Sequence, residues 1–183
     1  MENELLIEKA TEDDIPILNE FINACYIGND DNGPDTSSPE WTSVSKLIGG
    51  RRTTPEFLLK DMQNLDITIF KCTAKSDLQL VASCRAHNTD EDTIYSEMLC
   101  VSPTCQGKGV GKLMVAKVEE LGRELKCKYH KIQVFSCRKG LIEWYEKLGF
   151  KENGKQIPLP GPTERAWFIK SDVTILIEMQ KSL

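Results

Sequence analysis

The stretch Cys105–Leu113, "CQGKGVGKL", places three glycines at alternate positions, Gly107, Gly109 and Gly111, with Lys108 and Lys112 among them. A glycine has no Cβ, so the chain can take positive φ there and bring N–H groups close to a ligand. The run before it, "TIYSEMLCV" (Thr93–Val101), reads as a strand. The run after it, Val110 to Leu125, carries Val110, Leu113, Met114, Val118, Leu121 and Leu125 at helical spacing. A strand-to-helix junction with bare amides, two lysines and the positive end of a helix dipole is a place for an anion. A tight turn alone would need one glycine. Two nucleotide motifs fail on the letters. A Walker loop needs Gly where Gln106 stands and Ser or Thr where Leu113 stands, and a dinucleotide GxGxxG would need glycine at Lys112 or Met114. The pattern that fits is Q-x-x-G-x-G: Gln106, Gly109, Gly111.

Outward from this junction, Leu5–Glu8 is a short apolar strand. Thr11 is a helix N-cap with Asp14 as its capping partner, and Ile15, Leu18, Ile22 and Cys25 fall on one helical face. Residues 28–50 are rich in Asn, Asp, Gly, Pro and Ser and read as a long loop. "TTPEFLLKDM" restarts a helix, with Thr at the cap and Pro55 in its first turn. Strands at Ile67–Ala74, Leu78–Ala86 and Thr93–Val101 are joined by short polar turns, as in an antiparallel meander. "YHKIQVFS" is a strand, "GLIEWYEKLGF" a helix closed by Gly149, and "SDVTILIEM" the last strand after a Pro/Gly-rich loop. The order βααβββαβα, then one or two strands, predicts an α/β (α+β mixed) fold with helices on both faces of a mixed sheet.

The chain has 183 residues, 40% apolar and 28% charged, which predicts one soluble domain spanning 1–183. No apolar run approaches the roughly 20 residues that span a bilayer, and the acidic N-terminus lacks the pattern of a signal peptide. Seven cysteines at irregular spacing, without a CxxC, predict buried reduced thiols in a cytoplasmic protein (nuclear not excluded) and neither a disulfide frame nor a metal site. His87 and His130 have no partner pattern and read as surface or structural. A net charge of −5 argues against nucleic acid and mildly favours a cationic partner.

"LCVSPTCQGKGVGKLM" (Leu99–Met114) resembles the acetyl-coenzyme A signature of the GCN5-related N-acetyltransferases, the GNAT family, and "EWYEKLGF" (Glu143–Phe150) resembles that family's second signature. The element order is similar over nearly the whole chain. The resemblance implies a central, mostly antiparallel mixed sheet of six to seven strands. It also implies transfer of an acetyl group from acetyl-CoA to a primary amine by direct attack in a ternary complex. It places the CoA pyrophosphate on Gln106, Gly107, Lys108, Gly109, Val110, Gly111 and Lys112. It lays the pantetheine arm along Leu99, Cys100 and Val101 like an added strand. Tyr145 falls where the family places a tyrosine facing the thiol sulfur. A phenol of reference pKa about 10 suits protonation of a leaving thiolate, although Leu141, Tyr145 and Leu148 also share one helix face suited to a core.

The acceptor needs a base. An alkylamine of pKa about 10.4 is neutral in roughly one molecule in two thousand at pH 7, which costs about 4 to 5 kcal/mol. Glu97 lies two residues before Leu99, and strand alternation puts both on one face; some family members resemble this in placing a glutamate there. One departure stands out: Arg138 and Leu141 occupy positions where many members carry Asn and a small residue. The acceptor pocket is implied to form from Tyr26–Arg52, with Asp30, Asp31, Asp35, Glu40 and Trp41, and from Gln156–Trp167, followed by Phe168. Carboxylates beside aromatics suit a small cationic amine; a peptide or protein amine is the alternative acceptor. No membrane is expected as a partner, and a homodimer is left open. A non-catalytic acyl-CoA-binding module is the alternative function.

Overall fold

The computed structural model describes residues 4–27, 44–45, 47–159, 167–169 and 175–183. Strand β1 (Leu5–Lys9) leads through a 3-10 turn into helix α1 (Ile15–Ile27). The turn is held as its letters suggest: Asp14 Oδ2 accepts from the Thr11 N–H at 2.8 Å. Strand β2 (Ile48–Gly50) precedes helix α2 (Pro55–Met62), whose cap Thr54 accepts from the Phe57 N–H at 3.2 Å. The meander follows as β3 (Ile67–Ala74), β4 (Leu80–Asp90) and β5 (Thr93–Val101). Then come α3 (Val110–Glu124), β6 (Tyr129–Phe135), α4 (Lys139–Lys147), β7 (Lys151–Pro158), β8 (Trp167–Ile169) and β9 (Ile175–Ser182). At the end of α4, Gly149 takes φ +94°, and the N–H groups of Gly149 and Phe150 return to the carbonyls of Glu146 and Tyr145. That reciprocal closure lets Phe150 turn back into the core. No helix among the described residues is long and apolar enough to cross a membrane.

The main sheet has seven strands in the order β1-β3-β4-β5-β6-β9-β7. Every pairing is antiparallel except β5 with β6. One face is covered by α1 and α2, where Leu18, Ile22 and Leu58 pack on Ile69, Leu80, Met98 and Cys100. On the other face, α3 buries Val110, Met114, Val118 and Leu121 against Phe70, Cys72, Ala82 and Ile94, and α4 adds Ile142 and Tyr145 against Ile132 and Val134. The expected mixed, mostly antiparallel sheet with helices on both faces is therefore present.

Three strands, β2, β7 and β8, have no named counterpart in the sequence pattern. β7 is an edge strand of exposed polar residues, "KENGKQIP", with an irregular register against β9 between Glu152 and Gln156. An edge strand buries neither face fully, so it carries no alternation to detect. β2 lies inside what reads as loop and pairs with β8 in a separate two-stranded ribbon. The acidic and aromatic residues Asp30, Asp31, Asp35, Glu40 and Trp41 lie outside the described residues.

Two irregularities in β5 create the cleft. First, β5 pairs with β6 only over Thr93–Tyr95 and Tyr129–Lys131, so the two strands part beyond Tyr95. Second, Ser83 faces Cys100 and Arg85 faces Glu97, which sets two steps of β4 against three of β5. Met98, at φ +49°, absorbs the extra residue in a bulge.

An ion pair anchors α2 beside this bulge. Arg85 donates from Nε to Asp61 Oδ2 at 2.6 Å and from Nη2 to Oδ1 at 2.9 Å, with the two side chains 7% and 6% exposed. Removing one partner of such a pair leaves a buried charge uncompensated. Asp61→Asn is expected to lower the unfolding free energy by about 3 kcal/mol or more. Urea denaturation checks this, and a loss under about 1 kcal/mol would mean that the pair is not anchoring α2.

Candidate active site

The cleft between the parted strands opens into a cavity of about 620 Å³ that runs from the glycine loop to the β2 region. At the loop end the three glycines do two different jobs. Gly107 and Gly109 take φ +71° and +82°, and a Cβ on either would meet nothing within 4 Å, so the space over them is open. Gly111 is helical, and a Cβ there would come 3.3 Å from the Trp144 ring, so this glycine lets α3 approach α4. The first-turn amides of α3, at Val110, Gly111 and Lys112, have no intrahelical acceptor and lie on the cavity wall. Gln106 donates to the Val101 carbonyl at 3.1 Å, while its Oε1 is buried without a hydrogen-bond partner among the described residues. An orphaned acceptor beside unpaired amides and open space fits a large polar ligand carrying phosphates. Lys108 is exposed and is not part of the wall formed by the described residues, whereas Lys112 is.

The strand positions divide. Leu99 and Val101 line the cavity. The Cys100 side chain does not; it is buried in the cluster under α1. The Leu99 carbonyl accepts from Tyr26 Oη at 3.1 Å, so α1 grips β5 just past the bulge.

The bulge also corrects the expectation that Glu97 and Leu99 share a face. Glu97 accepts from Arg85 Nη1 at 2.8 Å and so joins the Asp61 pair on the α2 side. Leu99 packs against the clusters under α3 and α4. The extra residue at Met98 reverses the alternation, and both side chains reach the one cavity from opposite layers. The carboxylates of Asp61 and Glu97 thus share one guanidinium at this end of the cavity.

Tyr145 is 6% exposed, its ring packed edge-on against Trp144 and Phe150 at 4.7 and 5.5 Å, and it lines the cavity with Leu141 and Leu148. Tyr145 is thus both a core residue and part of the cavity wall. Burial pushes its phenol well above the ordinary value, helped by neighbouring Tyr26 and Cys84 and opposed by Arg138. The hydroxyl is protonated throughout the physiological range. Buried thiols in the same fold move the same way, with Cys84 pushed up to about 12 by burial first and by Glu97 second.

Two wall residues, Ser96 and Arg138, had no site role assigned from the sequence, and a third, Tyr26, opens the segment implied to form the acceptor pocket. Tyr26 comes from α1, with the Arg52 guanidinium 5.2 Å over its ring. Arg138 precedes α4, and burial lowers its guanidinium's basicity. Their chain positions are far apart, and only the folded sheet brings them together. All seven cysteines are free, four of them buried, two half-buried and Cys137 exposed. Among the described residues no group of three or more His, Cys, Asp and Glu could hold a metal ion.

The family profile described as "Acetyltransferase (GNAT) family" matches residues 39–150. None of the curated proteins matches the chain. Among solved structures, the chain is similar to Ard1 from Thermoplasma volcanium, at 16% identity with a TM-score of 0.67, covering 98% of each chain. It is similar to a mutant of spermidine N-acetyltransferase SpeG from Vibrio cholerae, at 14% identity and a TM-score of 0.66, over 98% of this chain and 94% of that one. It is also similar to the ribosomal-protein-S18-alanine N-acetyltransferase from Escherichia coli, at 16% identity and a TM-score of 0.63, over 97% and 93%. At these identities the neighbours show the fold, and the profile match, which spans the glycine loop and the Tyr145 helix, shows the family: this chain is a member of the acetyltransferase (GNAT) family.

Proposed function

We propose that this protein is an N-acetyltransferase that moves an acetyl group from acetyl-CoA directly to an acceptor amine, both substrates being held in the one cavity. The observation that carries the reading is the cavity's continuity, from the open glycine cradle with the orphaned Gln106 oxygen, past Tyr145, to Glu97. Acetyl-CoA would supply a thioester, an acyl group activated toward amines. Gln106, Gly107, Gly109 and the first-turn amides of α3 would hold its phosphates, with Lys112 adding charge. Leu99 and Val101 would flank its arm, and Tyr145 would give its proton to the departing sulfur.

Glu97 attracts the acceptor as an ammonium. One of its oxygens is committed to Arg85, so it enters this scheme as the amine's electrostatic anchor more than as the final home of the proton. The neighbours whose names carry a substrate act on spermidine and on a ribosomal-protein alanine. A polyamine and an alanine-ended peptide therefore head the acceptor panel, which tests the small cationic amine against the peptide amine.

Acetyl-CoA is expected to raise the melting temperature of the wild-type protein, by about 2.7 kcal/mol of added stability at a hundredfold excess over its dissociation constant. Gly109→Val puts a side chain into the open space of the cradle and strains a left-handed residue, so it should lower the starting temperature and abolish the ligand-induced rise. A folded Gly109→Val protein with the full rise would remove the cradle from this reading.

Tyr145→Phe keeps the ring packing and deletes only the proton. Turnover should fall about 10- to 1000-fold, with the acetyl-CoA melting shift retained; unchanged turnover under chemistry-limited conditions would return Tyr145 to a packing role. Glu97→Gln keeps the shape and removes the charge. The acceptor KM should rise more than kcat falls, and a change confined to kcat would reject the anchor role.

A further inference from the structure

Ser96 is the first residue of β5 beyond its last pairing with β6, so it sits where the two strands begin to part, and it lines the cavity. Its Oγ lies 2.7 Å from Nε2 of His130 on β6. His130 is fully buried, and its Nδ1 faces Glu119 Oε1 of α3 at 4.0 Å, a charge contact rather than a hydrogen bond. Glu119 is itself buried and accepts from Lys181 Nζ of β9 at 2.6 Å and from Arg123 Nη2 at 3.2 Å. The Phe150 ring closes the remaining side of the imidazole, edge-on at 4.9 Å. A continuous line of hydroxyl, imidazole and carboxylate thus leads from the cleft into the protein. A buried histidine kept only for packing would be expected to satisfy both ring nitrogens. Here one nitrogen is spent on a hydroxyl of the cavity wall and the other is turned toward an anion.

We propose that Ser96, His130 and Glu119 form a proton relay that removes the proton of the acceptor amine from the cleft. This rests on the acetyltransferase reading above. The ammonium gives its proton to the Ser96 oxygen, directly or across one water. Ser96 passes its own hydroxyl proton to His130 Nε2, and the resulting imidazolium is stabilised through Nδ1–H by Glu119. The amine is left with the lone pair needed for acyl transfer, and the relay resets when His130 returns the proton through Ser96 to solvent. Ser96 touches the substrate side; His130 and Glu119 act through it.

The charge states suit the direction of flow. Burial lowers the basicity of His130, against the pull of Glu119, so the ring is neutral at neutral pH and its Nε2 lone pair is open to the Ser96 proton. The contact with His130, and after it that with Lys181, outweighs burial and holds the Glu119 carboxyl down at about 2, so it is ionised. Lys181 also opposes charging of the ring, which keeps the proton returnable.

The chain has two histidines, which makes the relay readable without any acceptor. In the full chain labelled with nitrogen-15 histidine, with His87→Gln used to assign the signals, His130 should be neutral at pH 7 with its proton on Nδ1. Ser96→Ala should move the Nε2 signal. A proton on Nε2 would mean that the ring donates to Ser96, and would overturn the relay. The kinetic arm uses spermidine and an alanine-ended peptide as acceptors. Ser96→Ala should lower kcat about 10- to 100-fold at neutral pH, recover as pH approaches the amine pKa of about 10.4, and keep the acetyl-CoA melting shift. Equal rates for Ser96→Ala and wild type at every pH would overturn the relay and leave the transferase reading standing. Absence of an acetyl-CoA melting shift in the wild type would sink the transferase reading and the relay with it. Should acetyl-CoA bind and neither amine react, the tautomer decides.

Discussion

The extra residue at Met98 is the constraint on which the rest of the site depends. A strand in regular register would keep its backbone groups in the ladder and its side chains in strict alternation. The bulge breaks both rules at one point. It turns Glu97 toward Arg85 and Leu99 toward α3 and α4, so that one cavity receives groups from two layers of the molecule. A non-glycine residue at positive φ is costly, and the surroundings hold it: Met98 is 2% exposed and packed under α1 and α2, and Tyr26 fastens the next carbonyl.

The parting of β5 from β6 is the second half of the same device. The parallel pairing is short, whereas β6 stays joined to β9 along its whole length. The cleft therefore has two rigid lips. One is braced by the Asp61–Arg85–Glu97 group and α2, the other by β9 and α4. At the point where the lips meet, Ser96 joins His130 across the gap.

The glycine loop shows how far local letters carry. Three glycines read alike in the sequence. In the structure two supply left-handed backbone and open space, and the third supplies close approach to Trp144. The spacing Q-x-x-G-x-G marks Gly109 and Gly111, one for each role, because positive φ and close approach both disfavour a Cβ, though for different reasons. The same holds for the helix that carries Tyr145: its apolar stripe predicts burial, and burial pushes its phenol further above the ordinary value.

Local chemistry determined much of this protein by itself. The meander strands β3 and β5, the caps at Thr54 and Gly149, helix α3 and the phosphate-type loop follow from periodicity, capping and missing Cβ atoms over a few neighbouring residues. Tertiary structure decided the rest. The edge strand β7 buries too little to leave a pattern. The bulge at Met98 exists only as a mismatch between β4 and β5, and it reversed the face inferred for Glu97. Tyr26, Ser96, Arg138 and the His130–Glu119 contact join positions that no local rule connects. Each depends on which strands are neighbours and where they separate, a property of the whole sheet and not of any one segment.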